Sequence, residues 1–273
     1  MERKGGFTIV ELLIVIVVIA ILAVVSVVAY TNISARASIS AGKSFDSQLR
    51  RAHALESVLA LNFDEGSGTT TKDSSEQANN ATVNGSWTAG MEGGSALKAN
   101  NNGTGAIATN PIYFENGSFT ISAWVNSSDH DGAQSRILGA WFSAGYFFLN
   151  FGNGRPYIEA RDSASASANW YSHASTDISG KWAHVVAVID REQGRAFVYI
   201  NGKLEGRSNV VSSTGVFGDS SETASNFRVG HQTASATLSL DGIIDDVYIY
   251  KSALNVARIE QLYKDGAYRL AKL

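Results

Sequence analysis

A nineteen-residue apolar run near the N-terminus, at residues 12–30, constrains this chain more than any other feature. Only Ser26 and the hydroxyl of Tyr30 interrupt it. As an α-helix rising 1.5 Å per residue, the run would be about 29 Å long, close to the ~30 Å hydrocarbon core of a bilayer. We therefore predict a single membrane-spanning helix.

The charges on either side of the run predict its orientation. Arg3 and Lys4 precede it, and the first charge after it is Arg36. Positive residues favour the cytoplasmic side, so the bulk of the chain is expected outside the cytoplasm. A secretory signal peptide would have a shorter apolar region than this run. The carboxylate of Glu11 near the start of the run also argues against a signal peptide. An ionisable residue in such a place predicts a functional partner.

The residues around that carboxylate form a specific motif. The sequence KGG at 4–6 followed by FTIVELL at 7–13 resembles the prepilin motif of type IV pilins and type II secretion pseudopilins. The resemblance implies that a prepilin peptidase cleaves between Gly6 and Phe7 and that the new amino group of Phe7 is methylated. It divides the N-terminus into a leader at 1–6 and a transmembrane assembly helix at 7–58, through which the subunit polymerises with itself or with other pilins.

Cleavage would create a cationic amine at Phe7, which Glu11 of a neighbouring subunit could neutralise inside a helix bundle. Such a pair would satisfy two buried charges at once. The alternative is an ordinary signal anchor with Glu11 in the headgroup layer. Residues 7–30 contain neither Gly nor Pro, which leaves open whether this helix melts on assembly.

From residue 59 to 268 the pattern changes to short apolar alternations separated by Gly, Asn, Asp and Ser, which predicts a β-sandwich or jelly roll. The Asn201-Gly202 pair predicts a hairpin with a type I′ turn. Asn255 predicts the start of a short helix that ends at residues 264–266. The predicted strands are 118–127, 145–152, 156–161, 182–190, 196–200, 227–230 and 241–250.

Four stretches of this region resemble the laminin G-like jelly roll of the concanavalin A-like lectin and glucanase superfamily. They are FDEGSGTTTKDSS, SFTISAWV, GKWAHVVAVIDREQGRAFVYINGKLEG and LDGIIDDVYIYKSAL, in that order along residues 61–265. The resemblance implies an all-β sandwich, so the fold class predicted for the whole chain is a long N-terminal α-helix plus an all-β sandwich. Many related jelly rolls hold a structural calcium ion, which here would join Asp64 or Asp73 to Asp245. The alternative is that these acids form turns and face solvent.

The sequence argues against catalysis. Glucanases of this superfamily place carboxylates in an E-x-D-x-x-E pattern, which is absent here. The five histidines form no cluster typical of a metal site or catalytic triad, and the chain has no cysteine. The net charge of −3 and its distribution also argue against a nucleic-acid partner. We expect no enzymatic activity.

Tryptophans supply the candidate ligand contacts. Trp124 and Trp182 lie within apolar alternations and are predicted to be core residues. Trp87, Trp141 and Trp170 lie nearer Gly-, Ser- and Asn-rich loops, where an indole could stack on a sugar ring, although core packing is the alternative.

Three functions fit these features. The first is a structural subunit of a type IV pilus-like filament that displays the sandwich on the cell surface, with a role in adhesion. The second is a minor pilin that binds glycan or a host surface. The third is a pseudopilin of a type II secretion system. In each, a membrane-anchored precursor is processed and then exported.

Overall fold

The computed structural model describes residues 8–91, 94–128, 135–143, 145–165, 169–218, 226–231 and 238–270. The predicted cleavage position, Gly6 and Phe7, lies outside these residues. By compactness the chain divides into two units, Met1–Leu49 and Arg50–Leu273. The second unit therefore begins at Arg50, before the first helix ends at Glu56, whereas the sequence predicted that the sandwich begins after residue 58.

Helix α1 runs without a break through Ile9–Glu56. Among the described residues, no helix combines the length and the apolarity required of a candidate membrane span. The remaining elements follow in chain order: β1 Leu59–Leu61, β2 Thr70–Thr71, β3 Ala81–Val83, β4 Ser86–Ala89, β5 Ser95–Asn100, β6 Ala106–Ala108, β7 Phe119–Ser127, β8 Ser135–Trp141, β9 Tyr146–Gly152, β10 Arg155–Arg161, β11 Trp170–His173, β12 Ala183–Asp190, β13 Arg195–Ile200, β14 Lys203–Arg207, β15 Arg228–Val229, β16 Asp241–Tyr250 and α2 Val256–Leu270.

The strands of the described residues form two antiparallel sheets of eight strands each, which makes the domain a β-sandwich. The first sheet has the order β14-β13-β12-β7-β16-β5-β4, and β1 also pairs with β16. The second has the order β11-β10-β9-β8-β15-β6-β3-β2. The predicted fold class, a long N-terminal helix plus an all-β sandwich, is confirmed.

The core lies between the sheets and follows from the two-residue period of the strands. In β9 the inward side chains are Phe147, Leu149 and Phe151, and all three are fully buried in one cluster with residues of both sheets. The alternate positions, Tyr146, Phe148 and Asn150, point to the opposite face. Strand β9 therefore joins the core with one face and presents a second set of side chains with the other.

Helix α2 packs on the outer face of the first sheet. Its Ile259 is buried with Val186 and Val188 of β12, and its Leu262 with Tyr248 and Tyr250 of β16. The outer face of β12 and β16 is thus covered by a helix, which explains why both strands are buried at nearly every position.

Two local predictions hold and one is wrong. Asn201 and Gly202 have φ of 51° and 78°, as the predicted type I′ turn between β13 and β14 requires. Asn255 caps α2, because its Oδ1 accepts from the amide of Arg258 at 2.9 Å. The helix does not end at residues 264–266, however: it continues to Leu270, and Gly266 lies inside it against the indole of Trp124.

Candidate functional site

The start of α1 is held by a reciprocal pair of side chains. The amide and the hydroxyl of Thr8 both donate to Oε2 of Glu11 at 2.8 Å, and the Glu11 amide donates to Thr8 Oγ1 at 3.3 Å. This is a capping box, in which a Thr and a Glu three residues later satisfy the first free donors of a helix. Glu11 therefore has a local role in its own chain, and its pairing with a neighbour's amine stays a prediction.

The helix surface that follows this cap is apolar on every side. Every large hydrophobic side chain described from Ile9 to Val24 is at least 47% exposed within the chain. A helix that is hydrophobic all round needs other helices or lipid to cover it.

The three acids predicted to bind calcium have protein partners. Asp73 accepts from the amides of Ala60, Ser75 and Asn79, each within 2.9 Å, and from the Ser75 hydroxyl. Its carboxylate therefore ties the β2–β3 connection to β1.

Asp245 accepts from the amides of Met91 and Asp246. Asp64 forms an ion pair with Arg50, whose guanidinium also lies 3.6 Å from Asp246. The guanidinium of Arg50 thus lies between the carboxylates of Asp64 and Asp246. Within the described ranges no group of three or more His, Asp or Glu side chains is arranged to hold a metal ion, and the calcium prediction gains no support from these residues.

Two of the three tryptophans predicted to contact ligand serve the packing of the sandwich. Trp170 opens β11, is 1% exposed, and donates its indole N–H to Asp162 at 2.9 Å. It is a core residue, and its assignment as a ligand contact is wrong because no face of its ring reaches solvent. Trp87 is half-buried against the core and donates to the carbonyl of Gly68 at 2.8 Å.

Trp141 differs, because it lies at the end of β8 on the side of the second sheet that points away from the core. We call this surface the arginine-aromatic face. It consists of alternate residues of β9, β10 and β11 and of two residues of β8 that a register shift between Arg136 and Leu138 brings to the same face: Arg136 and Trp141 of β8; Tyr146, Phe148 and Asn150 of β9; Arg155, Tyr157, Glu159 and Arg161 of β10; Tyr171 and His173 of β11.

The aromatic part of the face is a cluster of three rings. The Trp141 ring centroid lies 4.8 Å from that of Tyr146 and 5.1 Å from that of Phe148. The guanidinium of Arg136 lies over Phe148 at 4.2 Å, and that of Arg161 over Tyr146 at 5.3 Å. These cation–π contacts hold both arginines flat against the sheet.

The polar part of the face centres on Glu159. Its carboxylate accepts from the Tyr146 hydroxyl at 2.9 Å and lies 3.5 Å from Nη1 of Arg136. Arg136 also donates to Asn150. Burial, together with the hydrogen bond to Glu159, raises the pKa of Tyr146 to about 12, so its hydroxyl is a donor at physiological pH.

Next to Glu159 along β10, the Tyr157 hydroxyl is buried and forms no hydrogen bond with the described residues. Burial raises the pKa of Tyr157, so the hydroxyl stays protonated. The Tyr157 ring stacks on His173 at 4.7 Å, and His173 is hydrogen-bonded to Tyr171, which is 44% exposed.

The face combines the groups that recognise a polar ring-shaped ligand. The exposed members of the face are Arg155, Tyr171 and His173, the half-buried ones are Trp141, Tyr146, Glu159 and Arg161, and the buried ones are Arg136, Phe148, Asn150 and Tyr157. Aromatic rings offer flat apolar surface, and arginines offer several donors in a fixed plane. The face therefore places flat apolar surface beside hydrogen-bond donors.

Sequence reasoning found only Trp141 of this face. The signal for the rest was the alternation within GYFFLNFG and RPYIEAR, where every second residue is aromatic, charged or an amide. Strand β8 was not predicted, so the pairing that brings Arg136 beside Asn150 could not be inferred.

The comparisons with known proteins agree with this architecture. Residues 101–260 match the family model of the concanavalin A-like lectin/glucanases superfamily, and residues 1–27 match the prokaryotic N-terminal methylation motif. Both resemblances drawn from the sequence are confirmed. The curated proteins include no match.

Solved structures with the same fold include two toxin binding domains and one sialidase. The binding domain of Paraclostridial mosquitocidal protein 1 aligns with a TM-score of 0.60 and 17% identity over 76% of this chain and 52% of that chain. The botulinum neurotoxin serotype D binding domain aligns with a TM-score of 0.56 and 16% identity, over 77% and 50%. The Trypanosoma rangeli sialidase in complex with 2,3-difluorosialic acid aligns with a TM-score of 0.56 and 20% identity, over 82% and 38%. The chain therefore spans about half or less of each, and identities this low indicate a shared fold alone.

Proposed function

Because the chain belongs to the concanavalin A-like lectin/glucanases superfamily and begins with a prokaryotic methylation motif, we propose that it is a subunit of a type IV pilus-like filament whose sandwich binds glycan. The coarser statement, a pilin-like surface protein with a lectin-like β-sandwich, rests on the two family matches. The motif implies processing by a prepilin peptidase, a membrane-anchored precursor and assembly with other pilins. Filament formation and adhesion are the parts of this proposal that go beyond the two family matches.

The apolar surface of α1 supports the filament. The exposed side chains from Leu12 to Val24 leave no polar face, so helices of neighbouring subunits would bury them once the precursor leaves the membrane. Polymerisation through the helix would leave the sandwich displayed on the filament surface.

The arginine-aromatic face supports binding and carries this part of the proposal. Helix α2 covers the outer face of β12 and β16 in the first sheet, whereas the outer face of the second sheet presents the exposed Tyr171 and Arg155 and the half-buried Trp141 and Arg161. We assign this face to ligand binding rather than to catalysis.

A glycan array probed with the full-length protein in detergent, with and without calcium, tests the binding role. Trp141→Ala and Arg161→Ala should each weaken binding of the best glycan by about 30-fold, since truncating an aromatic or arginine anchor costs ~2 kcal/mol or more. Leu204→Ala is the control, because Leu204 is 51% exposed on β14 of the other sheet. Absence of any binding above background, or equal losses in all three variants, would contradict this role.

A further inference from the structure

A cavity lies apart from the arginine-aromatic face, at the end of the sandwich where β1 begins and β16 ends. It measures about 340 Å³ and is lined by Val58, by the β2–β3 and β6–β7 connections, and by Lys251 just after β16. This volume falls in the range of small-molecule sites, about 300–1,000 Å³. We call it the Lys251 pocket.

The walls of the pocket are fixed by hydrogen bonds. Asn79 is 5% exposed, and its side chain both donates to the carbonyl of Asn110 at 2.9 Å and accepts from the amide of Asn110 at 2.7 Å. On the other side, the Val58 amide donates to the carbonyl of Ile249 at 2.7 Å. A pocket whose walls are already ordered loses little entropy when a ligand binds.

The chemistry of the lining is mixed. Val58, Pro111 and Ile112 supply apolar surface, of which Ile112 is the most buried at 6% exposure. Gln77 and Lys251 are exposed, and neither side chain forms a hydrogen bond or ion pair with the described residues. Asp and Glu are absent from the described lining, so Lys251 gives the pocket a positive charge.

We infer that the Lys251 pocket binds a small carboxylate that also carries hydroxyl groups, of the uronic acid class. The ammonium of Lys251 pairs with the carboxylate, the Gln77 amide donates to and accepts from ring hydroxyls, and the C–H face of the sugar ring packs on Pro111 and Ile112. An uncharged sugar would leave the ammonium without its ion pair, and a simple carboxylate would leave the amide unused. This inference does not depend on the arginine-aromatic face.

Titration calorimetry of the full-length protein in detergent, with D-glucuronate as the probe, tests the inference. Glucuronate should bind, and both glucose and acetate should bind about tenfold more weakly or not at all, because each lacks one of the two recognised features. Lys251→Gln should weaken glucuronate binding by about tenfold or more, and Gln77→Ala by a smaller factor.

Lys203→Gln is the matched control, since Lys203 is also an exposed lysine but lies on β14, away from the pocket. It should bind glucuronate like the wild type. The inference is overturned by a wild type that does not bind glucuronate, by a Lys251→Gln variant that binds as tightly as the wild type, or by glucose or acetate that binds as tightly as glucuronate. Loss of binding in Trp141→Ala would place the ligand on the arginine-aromatic face and overturn it as well.

Discussion

Gly266 of α2 lies directly against the indole of Trp124: a Cβ atom at residue 266 would stand within 2.7 Å of three indole atoms. The indole is itself 2% exposed, and its ring lies next to those of His184 and Tyr263, which also contact each other. This contact explains why a glycine, which the sequence pattern reads as a helix end, stands inside a helix. It also sets how closely α2 approaches the first sheet.

Gly266→Ala should destabilise the sandwich despite the higher helix propensity of alanine. Propensity alone would stabilise the helix by ~1 kcal/mol, but displacing α2 from a packed interface costs typically ~1–3 kcal/mol. Chemical denaturation of the full-length protein in detergent should therefore show a lower free energy of unfolding. Lys264→Ala, on the exposed side of the same helix, should change it by less than about 0.5 kcal/mol. A Gly266→Ala variant more stable than the wild type would contradict a tight contact between residue 266 and Trp124.

Acid should weaken the same region through His184. This imidazole is fully buried, and burial, followed by the nearby charge of His53, lowers its pKa from 6.5 to about 3. Above pH 6.5 the group is neutral in both folded and unfolded chains. As the pH falls from about 6.5 to about 3, the unfolded chain takes up a proton that the folded chain cannot, so the free energy of unfolding falls by up to ~1.4 kcal/mol per pH unit.

Denaturation at several pH values, compared between variants, isolates this effect from the titration of carboxylates. His184→Gln should be less stable than the wild type at pH 7, because it loses the imidazole packing and its 2.8 Å hydrogen bond to Ser122. That deficit should shrink as the pH is lowered. His173→Gln, at an exposed position, should keep most of the wild-type dependence. A deficit for His184→Gln that is constant with pH would mean that His184 does not titrate in this range.

A buried ion pair stabilises the opposite side of the core. Nη1 of Arg191 lies 3.3 Å from Asp162, its Nη2 donates to the carbonyl of Gly215 at 2.6 Å, and its guanidinium lies over the rings of Trp170 and Phe217. Burial alone would raise the pKa of Asp162, but hydrogen bonds led by that from Trp170, together with the charge of Arg191, lower it. The carboxylate is therefore ionised and depends on its partners.

Arg191→Met should cost ~3–5 kcal/mol, because it leaves the Asp162 charge buried without its cation. The double variant Arg191→Met with Asp162→Asn should recover part of that loss, since the orphaned charge is gone. Denaturation of the wild type, the two single variants and the double variant forms a cycle that measures the coupling. Strict additivity of the two single losses would argue against an interacting pair.

Local signals in the sequence were sufficient for part of the fold. The Asn201-Gly202 turn, the Asn255 cap and the long alternating strands around residues 119–127 and 241–250 depend on neighbours in sequence, and the structure agrees with each. Short strands such as β2 and β11 carry too few alternations to be recognised, although the two-residue β15 lies within a predicted strand. Gly266 was misread because its role depends on Trp124, which is far away in sequence.

The candidate site was only partly predictable for the same reason. Glu11 could be recognised because the motif around it is contiguous. The arginine-aromatic face joins Arg136 to Glu159 through two strand pairings, and neither register follows from the composition of the strands. Trp170 and Trp141 looked alike in sequence, and only the side of the sheet on which each lies separates a core residue from a surface one.

Assembly of the proposed pilus-like filament should depend on the charge of Glu11. Glu11→Gln separates this role from the capping box, because Gln can still accept from Thr8 but cannot neutralise the amine of a neighbouring Phe7. Mass spectrometry of the mature N-terminus first verifies that the variant, expressed with a prepilin peptidase, is still cleaved between Gly6 and Phe7. Electron microscopy of sheared surface filaments is then the decisive measurement. The account predicts abundant filaments from the wild type and few or none from Glu11→Gln, whereas filaments at the wild-type level from Glu11→Gln would contradict it.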